Sequence, residues 1–274
     1  MPSPFLLILV GAGVGTFGTL VGAGGGFLLV PLLALLEPTL PTNDVTAMSL
    51  AVVAMNATSG AIAYARQRRI DYRSGVIFAI ATLPGSVGGA LASRLVARPI
   101  FDLVFASLLI GLAIFVVVTH EEDPEPAPEG TWGYAQRELV DARGTEYRYS
   151  ANILLGVAIS VAVGFASSLL GIGGGVIHVP ALVGLLGFPT HVATATSHFV
   201  LAIMATVATG THLLEGDLSG LLPQTVLLGA GAIVGAQVGA RFSERVRGRH
   251  IVQTLAVSLI FVGLRLGAQA LFAI

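Results

Sequence analysis

The sequence predicts an all-α protein, a polytopic transmembrane helical bundle of two inverted-topology repeats with broken or re-entrant half-helices after glycine-rich motifs. Three observations carry this expectation. Only 11% of the 274 residues are charged and 54% are hydrophobic, with a mean hydropathy of +0.87, whereas soluble domains carry about 25% charged residues. The stretch Gly22-Ala-Gly-Gly-Gly26 followed by Pro31 returns as Gly171-Ile-Gly-Gly-Gly175 followed by Pro180. The arginines, finally, cluster at places that are not equivalent in the two copies.

In chain order, Phe5–Val21 is an apolar run that breaks at the first glycine motif and resumes as the short Phe27–Leu36. Three full-length candidates follow, Val45–Ala65, Gly75–Ser93 and Ile100–Val118, each near the ~20 residues that a helix needs to cross a bilayer. The second copy repeats the pattern. Ala151–Leu170 breaks at the second motif, Val176–Phe188 is short, and Val192–Thr211, Leu221–Ala240 and Ile251–Ile274 are long. Downstream of the motifs Ser49 aligns with Ser197, Asp71 with Asp217, Gly88 with Gly235 and Arg94 with Arg241. The chain thus divides into a first repeat (1–118), a polar cytoplasmic linker (119–150) and a second repeat (151–274). The linker carries the acidic, proline-rich run Glu121–Glu129 and the single tryptophan; a short interfacial helix is expected over Trp132–Val140. No charged segment precedes the first apolar run, so the N-terminus is expected to be retained.

Arginine placement orients the repeats. Arg66, Arg68, Arg69 and Arg73 in the first copy have an arginine-free counterpart in the second, whereas Arg241, Arg245, Arg247 and Arg249 face the sparser Arg94 and Arg98. Cytoplasmic loops are enriched in basic residues, so a swapped pattern is what halves of opposite orientation leave in a sequence. Both clusters and the linker are then cytoplasmic and the termini periplasmic, in an inner (plasma) membrane. Whether the broken segments make eight helices or ten is left open at this level.

Non-helical backbone survives at membrane depth only where it is buried in protein or lines a polar cavity, and paired breaks in inverted halves point to a carrier's binding site. A half-helix starting at Gly24, Gly25 and Gly26, or at Gly173, Gly174 and Gly175, offers unpaired N–H groups and the positive end of its dipole to an anion. Ser49, Asn56, Ser197 and His198, on the helices that follow the breaks, are the candidate polar ligands. His178, on the second half-helix, is the candidate for a coupled proton. The other closely spaced glycines, Gly11/Gly15, Gly18/Gly22, Gly85/Gly89 and Gly231/Gly235/Gly239, read as helix-packing positions. The chain has no cysteine and no lysine, which removes thiolate sites and a Walker lysine. Histidine spacing matches no metal motif, and no nucleophile–base set appears. A transporter is therefore expected rather than an enzyme, with no cofactor and no metal. Its partners are the lipid bilayer, a small anionic substrate and a coupling proton, with no nucleic acid.

Together the two glycine motifs with their prolines, Arg69-Ile-Asp71 and Gly85-Ser-Val-Gly-Gly-Ala90 resemble the TauE/SafE sulfite-exporter family over nearly the whole chain. The resemblance implies a secondary active transporter, an exporter, of a small sulfur-containing oxyanion such as sulfite or an organosulfonate. The residues by themselves leave open a carrier of another small carboxylate anion or of a divalent metal cation. They fix neither the direction of flux nor the oligomeric state.

Overall fold

A computed structural model describes residues 3–37, 39–118 and 132–272; the acidic run Glu121–Glu129 lies outside them. The first repeat supplies α1 (Pro4–Leu20), α2 (Gly26–Leu36), α3 (Thr42–Arg66), α4 (Tyr72–Ala92) and α5 (Arg98–Val118). A hairpin of β1 (Tyr134–Val140) and β2 (Glu146–Asn152) follows, and then α6 (Ile153–Leu170), α7 (Gly175–Gly184), α8 (Thr190–Leu214), α9 (Leu222–Ser243) and α10 (Gly248–Phe272). Among the described residues the glycine motifs divide the bundle into ten helices, seven of them long and apolar enough to cross a membrane. The chain is a multi-pass membrane protein.

The two copies exchange partners. Helix α1 packs on α9 of the other half and α6 packs on α4, while the pairs α3–α8 and α5–α10 lie on the pseudo-twofold axis. Small residues set these contacts. A Cβ added at Gly235 would lie 2.7 Å from the Thr16 nitrogen, and one at Gly89 would lie 2.9 Å from the Leu169 nitrogen. Backbones this close are what small-residue stripes provide where no hydrophobic effect drives association. Gly18 is the exception among the predicted packing positions, because it lies against Gly24 and Gly25 of its own break. The axial helices α3 and α8 are the most deeply buried spans, and each carries several buried polar side chains, as expected for segments shielded from lipid.

Two sets of contacts establish the inversion. The α3–α4 turn reaches the start of α8, with the Asp71 N–H on Thr196 Oγ1 at 3.0 Å, and the end of α9, with Gln67 Nε2 on the Ala240 carbonyl at 2.9 Å. The α8–α9 turn meets the start of α3 at the other end of the bundle, where Asn43 Nδ2 donates to Asp217 Oδ1 at 2.9 Å. Equivalent turns therefore occupy opposite ends. Each first pair is re-entrant: α1 enters from the Asp217 end, turns at Gly22–Gly25, and α2 returns to that end, while α6 and α7 do the same from the hairpin end. Both arginine clusters lie at the hairpin end, and Arg94 and Arg98 at the other.

The structure shifts part of the sequence alignment. The Arg69 N–H bonds the Tyr64 carbonyl as the Asp217 N–H bonds that of His212, so Asp217 is the counterpart of Arg69 and not of Asp71. The second turn is two residues longer. Gly85 then corresponds to Gly235, Gly89 to Gly239 and Ser93 to Ser243, with both serines bonded to a carbonyl three residues back. Arg94 accordingly stands opposite Glu244.

Trp132–Val140 forms no interfacial helix. Tyr134–Val140 alternates exposed and half-buried positions, the period of a strand, and a turn through Gly144, at φ +83°, returns it as β2. The hairpin closes over one end of the bundle. Arg69 Nη2 meets Asp141 Oδ2 at 3.2 Å with both side chains buried, Tyr149 donates to Asp71 at 2.9 Å, Arg137 lies 3.3 Å from Asp71, and Arg143 pairs with Glu244. Burial alone would raise the Asp141 carboxyl, but the N–H groups of Thr145 and Arg143 and the Arg69 guanidinium outweigh it and hold its pKa below the usual 3.8. A carboxyl depressed in the folded state contributes stability above its unfolded pKa and loses it as pH falls through the folded one. Docking of the hairpin is thus expected to weaken below about pH 4, seen as faster proteolysis between β1 and β2, with Asp141→Asn abolishing this acid dependence.

Candidate functional site

The two glycine breaks meet at the centre of the bundle. Gly171 packs on the first turns of α2, with its added Cβ 3.2 Å from Val30, and Gly22 packs on those of α7, 2.7 Å from Val179. Each turn is closed by its own backbone: the N–H groups of Ala23 and Gly24 share the Gly18 carbonyl, and that of Ile172 bonds the Ser167 carbonyl. Left-handed φ values at Gly22, Gly24, Gly25, Gly171 and Gly173 explain the glycine runs, since a side chain there costs roughly 1–2 kcal/mol. Gly174 differs; it caps α7 from the right-handed helical region.

Helices α2 and α7 therefore begin at the centre, pointing their N-termini at the opposing break. Among the described residues the N–H groups of Gly26, Phe27, Gly175 and Val176 have no backbone acceptor, as first-turn groups do when no cap is supplied. Both short helices contain a buried proline, Pro31 and Pro180. They still run for 11 and 10 residues, enough to return to the bundle end.

Polar side chains from both halves surround the breaks. Ser49 donates to the Gly171 carbonyl at 2.6 Å and its counterpart Ser197 to the Gly22 carbonyl at 3.4 Å, so each serine holds the break of the opposite half. Asn56 Nδ2 donates to the Gly24 carbonyl at 3.2 Å and its Oδ1 accepts from Thr19 at 3.2 Å. His198 Nε2 lies 3.3 Å from the same Thr19 hydroxyl. The hydroxyls of Thr46, Thr194, Ser167 and Ser168 are buried and find no hydrogen-bond partner among the described residues. Thr46 abuts Gly171, and Thr194 abuts Gly22. A buried hydroxyl left unpaired costs free energy, so Thr46 and Thr194 stand beside the breaks with donors free for a ligand.

Of the sequence candidates, Gly24–Gly26, Gly173–Gly175, Ser49, Asn56, Ser197 and His198 are thus gathered at one place. His178 lies apart from it, on the second turn of α7. Its Nε2 is 3.3 Å from Ser160 of α6 and its ring stands edge-on to Phe78 of α4 at 5.8 Å. Thr19 was not among the candidates, because it precedes the break rather than following it. The available signal was its place in the repeat, opposite Ser168. Two other histidines also fall elsewhere: His191 at the start of α8, and His212 in the Asp217 cluster, where Nδ1 lies 2.7 Å from Asp217 Oδ2. Burial would raise the Asp217 carboxyl, but bonds from Arg94, His212 and Asn43 hold its pKa below the ordinary value.

Comparison with known proteins agrees with this architecture. The profile of the family described as sulfite exporter TauE/SafE matches residues 7–266. Probable membrane transporter protein YunE of Bacillus subtilis is 33% identical over 275 aligned residues, covering 98% of each chain. A probable membrane transporter protein of Methanocaldococcus jannaschii is 26% identical, covering 94% of this chain and 93% of its own. A third, from Haemophilus influenzae, is also 26% identical, with 89% and 87% covered. No solved structure matches.

Proposed function

The chain belongs to the TauE/SafE sulfite exporter family, and from that premise we propose that this membrane transporter is a secondary carrier of a small sulfur-containing oxyanion, sulfite or an organosulfonate, working as an exporter. The observation that carries the reading is the pair of uncapped helix N-termini, α2 and α7, converging on one buried site. Each N-terminus favours an anion by about 0.3–1 kcal/mol, and by up to about 2 kcal/mol when partly buried. Unpaired hydroxyls beside them supply further donors without fixing a full positive charge, which suits a ligand that must also leave.

The inverted halves provide alternating access. The serine contacts at the breaks, Ser49 on Gly171 and Ser197 on Gly22, each join one half to the other, so rocking about this centre exposes the site to each end in turn. Arginine enrichment at the hairpin end supports a cytoplasmic position for that end, and the proposed carrier sits in an inner membrane with its termini on the other side.

Reconstitution tests the reading. Proteoliposomes containing the full chain are expected to move radiolabelled sulfite or a short alkanesulfonate down its gradient, and to exchange it with unlabelled anion. Absence of flux for every sulfur oxyanion, with or without a pH gradient, would falsify it, and preferential competition by short carboxylates would reassign the substrate.

A further inference from the structure

The pseudo-symmetry of the core is broken beside the first break. Helices α3 and α8 superpose with a constant offset, so Leu50 corresponds to His198, Met204 to Asn56 and Ala208 to Gly60. On the side of the first break these positions hold a histidine, an asparagine and a glycine; on the side of the second they are apolar. Gly60 makes room for the ring, since a Cβ there would lie 2.6 Å from His198 Cδ2. The result is a single buried chain, His198–Thr19–Asn56–Gly24 carbonyl, with links of 3.3, 3.2 and 3.2 Å, running from α8 through α1 and α3 to the first break.

Hydrogen count makes this chain incomplete. Asn56 uses its amide N–H on Gly24, and its oxygen takes the one Thr19 proton. With Thr19 donating to Asn56, the neutral imidazole fits as the Nε2–H tautomer, donating to Thr19. In that tautomer Nδ1 is a bare lone pair, fully buried and, among the described residues, without a hydrogen-bond partner. A second proton would make both ring nitrogens donors. The groups around the ring supply no compensating charge: α3 presents Gly60 and Tyr64, whose ring is edge-on at 5.4 Å, while α1 and the first break present Thr19 and backbone. The compensating charge must come from the ligand.

We propose that His198 is the proton-carrying residue of this transporter and takes up its proton together with the anion in one electroneutral step. The proton comes from solution to Nδ1 and leaves from it on the far side, with no other bond made or broken. A cation on His198 and an anion at the N-terminus of α2 stabilise each other in a medium that screens little, so each raises the affinity for the other. The inference rests on the carrier reading above and goes beyond it in naming the coupling ion and its seat. His178, bonded to Ser160 and packed against Phe78, then serves α6–α7 packing.

Nitrogen-15 NMR of the histidine rings, in the full chain in lipid nanodiscs, tests this directly. The His198 signal is identified by its loss in His198→Gln or, if that variant does not fold, by elimination through variants of the other histidines. Without anion the ring is expected to carry one N–H, on Nε2. Saturating sulfite, or methanesulfonate, which stays ionised and brings no proton of its own, is expected to raise its protonation midpoint by at least about one pH unit, a tenfold gain in proton affinity. A ring that keeps one N–H while the anion is transported, or methanesulfonate flux that moves no protons on a trapped pH dye, overturns the proposal and leaves the carrier reading standing. No flux of any sulfur anion overturns both.

Discussion

Gly26→Ala and Gly175→Ala are each expected to lower anion flux by about ten- to a hundredfold while the protein still inserts and purifies. A Cβ on Gly26 would sit 2.5 Å from the Ile172 carbonyl oxygen, and one on Gly175 would sit 2.8 Å from Ala23 Cα. Both obstacles are backbone of the opposing break, which no rotamer change can move aside. Overpacking of this kind costs about 1–3 kcal/mol, and each 1.36 kcal/mol is a factor of ten in rate. Relief requires the two breaks to separate, and they carry the uncapped N-termini proposed to hold the anion. Gly13→Ala and Gly210→Ala provide the control, because among the described residues nothing lies within 4 Å of a Cβ at either position. Radiolabel flux in proteoliposomes, normalised to inserted protein, checks the series. Wild-type rates for both tip variants would show that the close approach of the breaks is not used in transport.

The second large effect is expected at the hairpin. Arg69→Met is expected to destabilise the docked hairpin by about 3–5 kcal/mol, since removing one member of a buried ion pair strands the other; the Arg69 and Asp141 side chains are 6% and 1% exposed. Asp141 would keep the N–H groups of Arg143 and Thr145 but not its cation. The double variant Arg69→Met/Asp141→Asn is expected to recover much of the loss, a coupling that a double-mutant cycle measures. Thermal unfolding in detergent, read alongside protease cleavage between β1 and β2, distinguishes hairpin release from collapse of the bundle. An additive pair would mean that the ion pair does not hold the hairpin.

Much of this architecture is legible in the amino-acid order because membrane burial imposes it there. The glycine runs mark the breaks, since left-handed backbone within an apolar span admits little else, and the displaced arginines record the inversion. Two features escape the sequence for physical reasons. Glycine recurs so often in α4 and α9 that an alignment three residues out of register looks as good as the true one, and only the contacts of Gly85 and Gly89 with α6 choose between them. Tyr134–Val140 has a clear two-residue alternation, but its charged residues read as linker until Arg69, Asp71 and Glu244 are seen to await them. At the site, Ser49, Asn56, Ser197 and His198 were visible as rare polar residues within spans. The Thr19 contact was not, because it depends on how α1 meets α3 and α8.

The hairpin has one more consequence. In the proposed cycle, exchanging two identical halves would convert the state open to one side into the state open to the other, leaving no preference between them. Any bias must come from parts that the exchange does not preserve. One end of the bundle is bolted by a β-hairpin inserted once in the chain, the other by Arg94, Asn43 and His212 on Asp217, and the two bolts share no residue. Each 1.4 kcal/mol by which one is stronger sets a tenfold ratio in the resting population. In the proposed cycle, an inserted hairpin stronger than the Asp217 cluster would therefore leave the carrier resting with the hairpin side shut.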